Sequence, residues 1–318
     1  MSFQFSLTDG KNIAKIFKKT IDGDKFIAYL KYIEEEDDLA DTSSDSDDEL
    51  GEIIRKSKLD ANDKSKLEKI IRSKIRKSTE PNAQSPNFLK TFANKYFHKN
   101  RTELILPPNH FIKQIHIPSP GSERASFYIP GKSNSGKTTW IADYILDYLD
   151  QYPKNEILLF TGIPKEEPAF EAFKDKVKIM DLEQFRDDPN IANEDMRDLQ
   201  DTLCIFDDVN SLPDLKTKKA IIALRDMILQ GGRHFNITCM CTSHNALDRN
   251  LTIYPIKESD KYVVFPSRNK PQTRALLTKY GELTKENLDK LMSLNTRWVE
   301  INLDSPPFVI YQRGAYFL

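Results

Sequence analysis

The chain has 318 residues, 39% of them hydrophobic and 30% charged, and its formal net charge at pH 7 is −1. This length can hold one large α/β domain with an appendage, but no run approaches the roughly 20 apolar residues that span a bilayer. The three cysteines fall in predicted buried strands and residues 1–12 are too polar for a secretory signal, so we expect a protein of a reducing, intracellular compartment without a membrane segment.

The first predicted element is helical. Residues 1–33 place apolar side chains at a weak helical spacing, which predicts a small N-terminal helical element that could dock on another surface. The apolar positions in this segment are Ile13, Ile16, Phe17, Ile21, Phe26, Ile27 and Leu30.

Two segments of opposite charge follow. Residues 34–52 contain eleven acidic residues and no basic one, a composition that predicts a solvated, disordered tract. Residues 53–87 are interpreted as a basic amphipathic helix and a linker, since residues 53–78 carry ten Lys or Arg against three acids. The helix could contact nucleic acid, or be a solvated helix that packs on its own or a neighbouring domain. A further hypothesis is that the acidic tract masks it until DNA or a capsid partner displaces the tract.

We interpret residues 88–318 as a P-loop ATPase domain. Two short apolar runs within residues 104–116 predict one or two strands that precede another strand at 125–130. Residues 131–138 read GKSNSGKT and fit the pattern G-x-x-x-x-G-K-[ST] at every defined position. Residues 139–149 then place apolar side chains at a helical period. A strand, a glycine-bounded loop and a helix in this order favour a phosphate-binding loop over a chance match.

The loop predicts a nucleoside triphosphate site. Its backbone N–H groups would point into a concavity sized for phosphate, with the helix dipole behind them. Lys137 would reach the β- and γ-phosphates of ATP, and the Thr138 hydroxyl would hold Mg²⁺. The predicted nucleotide-binding residues are Gly131, Ser133, Asn134, Ser135, Gly136, Lys137, Thr138 and Thr139.

A second motif supplies carboxylates. The apolar run at 202–206 ends in Asp207 and Asp208, as expected of a buried parallel strand whose C-terminal end meets a ligand crevice. Asp207 is predicted to hold the Mg²⁺ shell through water, and Asp208 to polarise the attacking water as general base. The alternative is a strand that runs into an Asp-Asp turn.

A third motif follows a predicted helix that ends in a Gly-Gly pair at residues 231–232. The strand predicted at 237–242 ends in a polar group, where Ser243 and His244 are candidates for sensing the nucleotide's γ-phosphate. Arg233 is the candidate finger that reaches a neighbouring subunit's nucleotide. Alternatively, Arg233 is a helix-end arginine that pairs with backbone carbonyls, and His244 is an ordinary polar residue at a strand end.

The remaining strands indicate the sheet topology. Strands predicted at 156–161 and 177–181 separate the P-loop strand from the Asp-Asp strand along the chain. This spacing favours an α/β fold with a mostly parallel central sheet of the additional-strand, RecA-like type. A fifth core strand is predicted at 261–265, and residues 298–302 and 308–311 predict a C-terminal hairpin.

Basic residues follow the fifth core strand and open a predicted helix that continues through Tyr280. Arg268 and Arg274 are therefore alternatives to Arg233 as the arginine that reaches another subunit. Alternatively, these basic residues only cap the helix, and their charges are solvated.

The order GKSNSGKT, LCIFDD and GGRHFNITCMCTSHNA resembles the genome-packaging ATPases of large DNA viruses and their smaller viral relatives, members of the FtsK–HerA superfamily. The most specific part is GRHFNIT, and the resemblance covers roughly residues 100–318. One departure concerns the end of the last strand, where the family usually has a glutamine and this chain has Ser243, His244 and Asn245. A histidine can donate a hydrogen bond from the same place.

The resemblance implies ATP-driven translocation of double-stranded DNA into a preformed capsid by a homo-oligomeric ring, a pentamer or hexamer, with Arg233 acting in trans. It also implies capsid or portal partners and a location in the host cytoplasm, a viral factory or the virion. The alternatives are a nucleotide-gated assembly or scaffold factor and a non-viral DNA pump of the same superfamily. A small-molecule kinase is disfavoured by the strands between the two motifs.

Overall fold

The computed structural model of the chain describes residues 2–6, 13–33, 102–115, 117, 124–162, 170, 173, 175–186, 196–248, 251–304 and 306–318. The predicted acidic tract and basic helix, residues 34–52 and 53–87, lie outside the described residues. Among the helices of the described part, none is long and apolar enough to cross a membrane.

The described residues form fourteen strands and five α-helices. The strands are β1 (Ser2–Ser6), β2 (Ala14–Thr20), β3 (Gly23–Ile33), β4 (Glu103–Ile105), β5 (His110–Ile115), β6 (Ser126–Pro130), β7 (Ile157–Thr161), β8 (Val177–Ile179), β9 (Leu203–Asp207), β10 (Thr238–Ser243), β11 (Lys261–Val264), β12 (Val299–Asn302), β13 (Phe308–Tyr311) and β14 (Gly314–Phe317). The helices are α1 (Lys137–Gln151), α2 (Leu215–Gly231), α3 (Ile253–Glu258), α4 (Lys270–Tyr280) and α5 (Lys285–Ser293).

Ten strands form one sheet in the order β4-β14-β13-β12-β11-β6-β10-β9-β7-β8. The strands from β11 to β8 run parallel, and β12, β13, β14 and β4 extend the sheet with antiparallel pairing. Every residue of β6, β9 and β10 is buried, as expected of parallel strands covered on both faces, and β9 is accordingly apolar up to its last residue, Asp207.

The predicted additional-strand topology is confirmed. β10 lies between the P-loop strand β6 and the Asp-Asp strand β9, and it pairs in parallel with both. The predicted fifth core strand, β11, pairs with the other side of β6. The predicted C-terminal hairpin is also present, since Asn302 of β12 lies opposite Phe308 of β13.

The prediction of a helical element at residues 1–33 is wrong. β1, β2 and β3 are antiparallel strands, and β5 joins them in a four-stranded sheet of order β1-β3-β2-β5. Ala14 and Ile16 of β2 and Ala28 and Leu30 of β3 are fully buried on one face, which is the two-residue period of a strand. The register shifts between Ile16 and Phe17, and this irregularity interrupts the alternation that would have identified a strand.

The N-terminal sheet is continuous with the ATPase domain. β5 comes from the segment that we assigned to the ATPase domain, and it pairs with β2 from Ala14 to Lys18. The ring of Phe3 stacks on Phe317 with centroids 4.3 Å apart, and the ammonium group of Lys15 pairs with Asp147 of α1. A boundary at residue 88 would therefore separate β5 from its pairing strand.

Glu300 of β12 is a carboxyl group enclosed in the sheet core. Its side chain is 1% exposed, and the ammonium of Lys261 lies 3.5 Å from Oε1. Neither carboxylate oxygen has a hydrogen bond of good geometry among the described residues. Burial, only partly offset by Lys261, raises the pKa of Glu300.

A raised pKa means that the folded chain favours the protonated form, so the wild type loses stability as the pH rises above the ordinary range of a glutamate. We expect Glu300→Gln to stabilise the protein by roughly 1 to 3 kcal/mol at mildly alkaline pH. The gain should shrink in mildly acidic buffer. Calorimetric melting of both proteins at the two pH values tests this, with the exposed Glu156 changed to Gln as control. A gain independent of pH would contradict the assignment.

Candidate nucleotide site

The loop at residues 131–138 lies at the carboxyl edge of the parallel strands, between β6 and α1. Gly136 has φ 111° and Asn134 has φ 60°, both in the left-handed region that glycine and asparagine tolerate best. A Cβ on Gly131 would lie 2.4 Å from Ser135 Oγ and 3.1 Å from the Phe265 ring. The glycines of the motif thus give the loop its curvature and bring its two ends together.

The start of α1 is open to an anion. Gly136 is the N-cap and supplies no side-chain cap, so the first N–H groups of the helix face the loop. Ser135 Oγ is buried and has no hydrogen-bond partner among the described residues. Thr138 is half-buried and Thr139 exposed in the first turn, next to the exposed Ser133. Unsatisfied donors and a positive helix end fit a phosphate group.

Lys137 contacts the chain's own atoms in this structure. Its Nζ donates a hydrogen bond of 2.8 Å to the carbonyl oxygen of Gly131 and lies 3.3 Å from His244 Nδ1. Asp208 Oδ2 is 3.9 Å from the same Nζ. Because the lysine is only 6% exposed, its ammonium group is stabilised by these three groups and little by water.

The two carboxylates at the end of β9 share Thr242 and differ in their other partners. The hydroxyl of Thr242 donates to Asp207 Oδ1 at 2.7 Å and accepts a hydrogen bond from the Asp208 backbone N–H at 2.9 Å. Asp208 has φ 48°, an unusual backbone conformation for an aspartate, and this second hydrogen bond helps to fix it. Its carboxylate lies between Thr242, whose hydroxyl is 3.4 Å from Oδ1, and His244, whose Nε2 is 2.7 Å from Oδ2.

Sequence analysis missed three residues of this site. Thr242 lies opposite the β9 carboxylates, a position that only the pairing of β9 with β10 reveals. Gly162 follows β7, and a Cβ there would lie 3.0 Å from the carbonyl oxygen of Asp208. Asn210 has a buried Oδ1 without a partner in the described part, while its Nδ2 lies 3.5 Å from Ser243 Oγ. Asn210 could have been identified from the sequence, because it is a polar residue only two positions after Asp208.

The structure places the three candidate arginines in different surroundings. Arg233 is exposed in a short 3₁₀ helix, Gly232–Phe235, that precedes β10. His244 follows β10, so the six-residue strand puts Arg233 at the opposite sheet edge, roughly 20 Å from its own P-loop. Arg268 is exposed on the P-loop edge, after β11. Arg274 pairs with Asp289 at 2.9 Å.

No protein-family model matches the chain. An uncharacterized protein, V3 of Sputnik virophage, is 31% identical over 228 residues, which are 71% of this chain and 89% of V3.

Three solved structures illustrate the structural neighbours. The genome-packaging NTPase B204 of Sulfolobus turreted icosahedral virus 2, in complex with ATP-gammaS, is 16% identical, with a TM-score of 0.40 over 60% of this chain and 97% of B204. The cytoplasmic domain of the type VII secretion ATPase EccC of Thermomonospora curvata is 14% identical, with a TM-score of 0.45 over 68% of this chain and 29% of that one. The pCW3 conjugation coupling protein TcpA is 11% identical, with a TM-score of 0.42 over 71% and 69% of the two chains.

Viral genome-packaging NTPases, the group that the motifs indicate, are among the structures to which the chain is similar. At 31% identity across most of both chains, the chain belongs to the family of protein V3 of Sputnik virophage.

Proposed function

We propose that this protein hydrolyses ATP to drive double-stranded DNA into a preformed viral capsid. The observation that carries the proposal is the convergence of Lys137, Asp208 and His244 on an open helix N-terminus at the end of an additional-strand sheet. A lysine placed to bind phosphate and a carboxylate placed to act on the attacking water are parts of ATP-hydrolysing sites, and His244 contacts both. The three motifs of this chain follow one another as in the viral packaging ATPases, and this resemblance supports double-stranded DNA as the substrate that is moved.

ATP binding would displace Lys137 from its present partners. Its ammonium group would leave the Gly131 carbonyl and His244 to neutralise the β- and γ-phosphates, while the N–H groups of the loop and the Ser135 hydroxyl bind phosphate oxygens. The hydroxyl of Thr138 and the carboxylate of Asp207 are oxygen donors of the kind that Mg²⁺ prefers. When bound, Mg²⁺ would neutralise charge that develops on the phosphates.

The fit to Mg²⁺ follows from the donor chemistry. No group of three or more His, Cys, Asp or Glu side chains that could hold a metal is found among the described residues. A cation between Thr138 and Asp207 would therefore take its other ligands from phosphate oxygens and water, as Mg²⁺ commonly does in nucleotide sites. Thr242 holds the Asp207 carboxylate at 2.7 Å and would orient it for that contact.

Asp208 would act as general base. As the oxygen of a water molecule bonds to the γ-phosphorus and the bond to ADP breaks, the Asp208 carboxylate accepts the water proton. His244 lies 2.7 Å from this carboxylate and 3.3 Å from Lys137, so it contacts both the proposed base and the lysine that ATP binding would displace. This location suits a residue that reports the nucleotide state to β10 and the elements that follow it.

Arg233 would complete the site of a neighbouring subunit. Its position at the sheet edge opposite its own P-loop supports action in trans on a neighbouring subunit, and the proposed assembly is a ring, a pentamer or hexamer. Arg268 is the alternative, since it is exposed on the P-loop edge, whereas Arg274 is already paired with Asp289. Such a ring would hold DNA through its phosphate backbone without reading the sequence, and would dock on capsid or portal components.

The test is the steady-state ATPase rate of the assembled protein with and without long double-stranded DNA. We expect stimulation of at least several-fold that declines as salt is raised, because phosphate contacts release counterions. A slow rate that is indifferent to DNA, in protein shown to be assembled, would contradict the translocase and favour a nucleotide-gated assembly factor.

A further inference from the structure

Asp207 and Asp208 are adjacent at the end of β9, yet both carboxylates lie in the nucleotide site. Successive side chains of a strand point to opposite faces of the sheet. Ile205 of β9 packs in the core cluster that includes the buried face of α1, whereas Phe206 packs in the cluster on the other face. A strand that continued through Asp208 would therefore direct this carboxylate away from α1 and from Lys137 at its start.

The backbone turns at Asp208 and changes that direction. The φ of 48° lies in the left-handed region, which an aspartate adopts only where the surrounding structure holds it. With this turn, Asp208 Oδ2 lies 3.9 Å from Lys137 Nζ and 2.7 Å from His244 Nε2. The left-handed backbone thus brings the second carboxylate into the nucleotide site.

Contacts from three places in the chain hold this turn. The hydroxyl of Thr242, in β10, accepts a hydrogen bond from the Asp208 N–H at 2.9 Å. Ser211 donates twice to the Asp208 carbonyl oxygen, from its hydroxyl at 2.7 Å and from its backbone N–H at 2.9 Å. Gly162, after β7, lies close to the same oxygen, because a Cβ there would be 3.0 Å from it. Loss of any of these contacts should loosen the position of the Asp208 carboxylate.

The Thr242 hydroxyl also contacts the carboxylates themselves. Its oxygen is 2.7 Å from Asp207 Oδ1 and 3.4 Å from Asp208 Oδ1, so its one hydrogen is donated to Asp207. This bond orients the carboxylate that is proposed to hold Mg²⁺ and leaves Asp208 Oδ1 available to the attacking water. Thr242 is only 3% exposed, so water has little access to replace these hydrogen bonds.

We propose that Thr242 is a positioning residue that assigns the two adjacent carboxylates to different tasks. It orients Asp207 as a ligand of the Mg²⁺ shell, and it holds the backbone turn that allows Asp208 to act as base. The inference rests on the proposed function and deepens its hydrolysis step. Because Thr242 directly precedes Ser243 and His244, a displacement of the end of β10 would reach both carboxylates through one hydroxyl.

The experiment removes the hydroxyl alone. Thr242→Val keeps the shape of the side chain, and Thr242→Ser keeps the hydroxyl. The control, Thr238→Val, makes the same change at a buried threonine on the same face of β10, at the other end of the strand. Thr242→Val is expected to lower ATP turnover at saturating ATP and Mg²⁺ by about ten- to a hundredfold, the usual cost of losing a group that orients a metal-site ligand. The KM for ATP should change little. Thr242→Ser should retain most of the turnover, and Thr238→Val should behave as the wild type.

Binding of a fluorescent ATP analogue, with and without Mg²⁺, is a readout that does not depend on turnover. Mg²⁺ should tighten binding less in Thr242→Val than in the wild type, because Asp207 would lose the group that orients it. Gly162→Ala tests the turn separately. Its methyl group would displace the Asp208 carbonyl oxygen, and it should lower turnover without changing the Mg²⁺ dependence of binding.

Wild-type turnover and Mg²⁺ dependence in Thr242→Val would overturn the proposal, and so would an equal loss in Thr242→Ser, since the hydroxyl would then not be the cause. Thermal melting without nucleotide shows whether each variant folds. If Thr242→Val does not fold, turnover by Gly162→Ala decides: a wild-type rate overturns the proposal, and a lowered rate with intact ATP binding supports it. A wild type that hydrolyses no ATP would instead refute the proposed function.

Discussion

Lys137→Ala is expected to lower ATP turnover by roughly 10²- to 10³-fold, the usual cost of removing one preorganised group that stabilises transition-state charge. Lys137 is the buried cation at the loop, 6% exposed, so no solvent-held charge replaces it. Turnover by phosphate release, measured at saturating ATP with and without DNA, is the readout. Both rates should fall together.

The same loop offers a matched control. Lys132 is five residues earlier, within the same motif, but its side chain is exposed. Lys132→Ala removes an equal charge from the loop and should retain most of the activity. Lys137→Met, which keeps the length of the side chain without the charge, distinguishes lost electrostatics from a cavity. Turnover by Lys137→Ala at the level of Lys132→Ala would place the chemistry elsewhere.

Asp208→Asn is expected to reduce turnover by roughly 10²- to 10⁴-fold while ATP still binds, since an amide cannot accept the proton of the attacking water. Asparagine keeps the size of the side chain and can still hydrogen-bond His244, which is 2.7 Å from the native carboxylate. The loop should therefore retain its shape. Equilibrium binding of a fluorescent ATP analogue, followed by single-turnover hydrolysis, separates binding from chemistry.

Two further variants serve as comparisons for Asp208→Asn. Asp207→Asn should raise the Mg²⁺ concentration needed for half-maximal turnover, because it weakens a cation ligand and leaves the base intact. Asp150→Asn, at an exposed position in α1, should behave as the wild type. Loss of ATP binding in Asp208→Asn would show that Asp208 holds the loop and would refute its role as base.

The core of the fold could be predicted because its strands are buried on both faces. β6, β9 and β10 are short buried strands that each lead directly into functional residues, and their order along the chain favours one sheet topology. The proximity of the loop, the carboxylates and His244 follows from that topology. Parallel strands bring their carboxyl ends to the same edge.

Features that depend on pairing between distant strands could not be predicted. In residues 13–30 the apolar positions fit a helix about as well as a strand, and the register shift at Ile16 and Phe17 hides the alternation. β5 pairs with β2 across some ninety residues of chain, which no local pattern specifies. Thr242 was missed for the same reason, because its place beside Asp207 is a matter of register between β9 and β10.

The contacts of Lys137 with Gly131 and His244 make nucleotide binding an exchange of partners. Part of the attraction between ATP and the loop is spent on breaking these contacts, which lowers affinity. In the proposed cycle the same contacts would re-form as the products leave, so they would compete with ADP for the lysine. Such a site would favour rapid product release over tight nucleotide binding, which would suit an ATPase that turns over repeatedly.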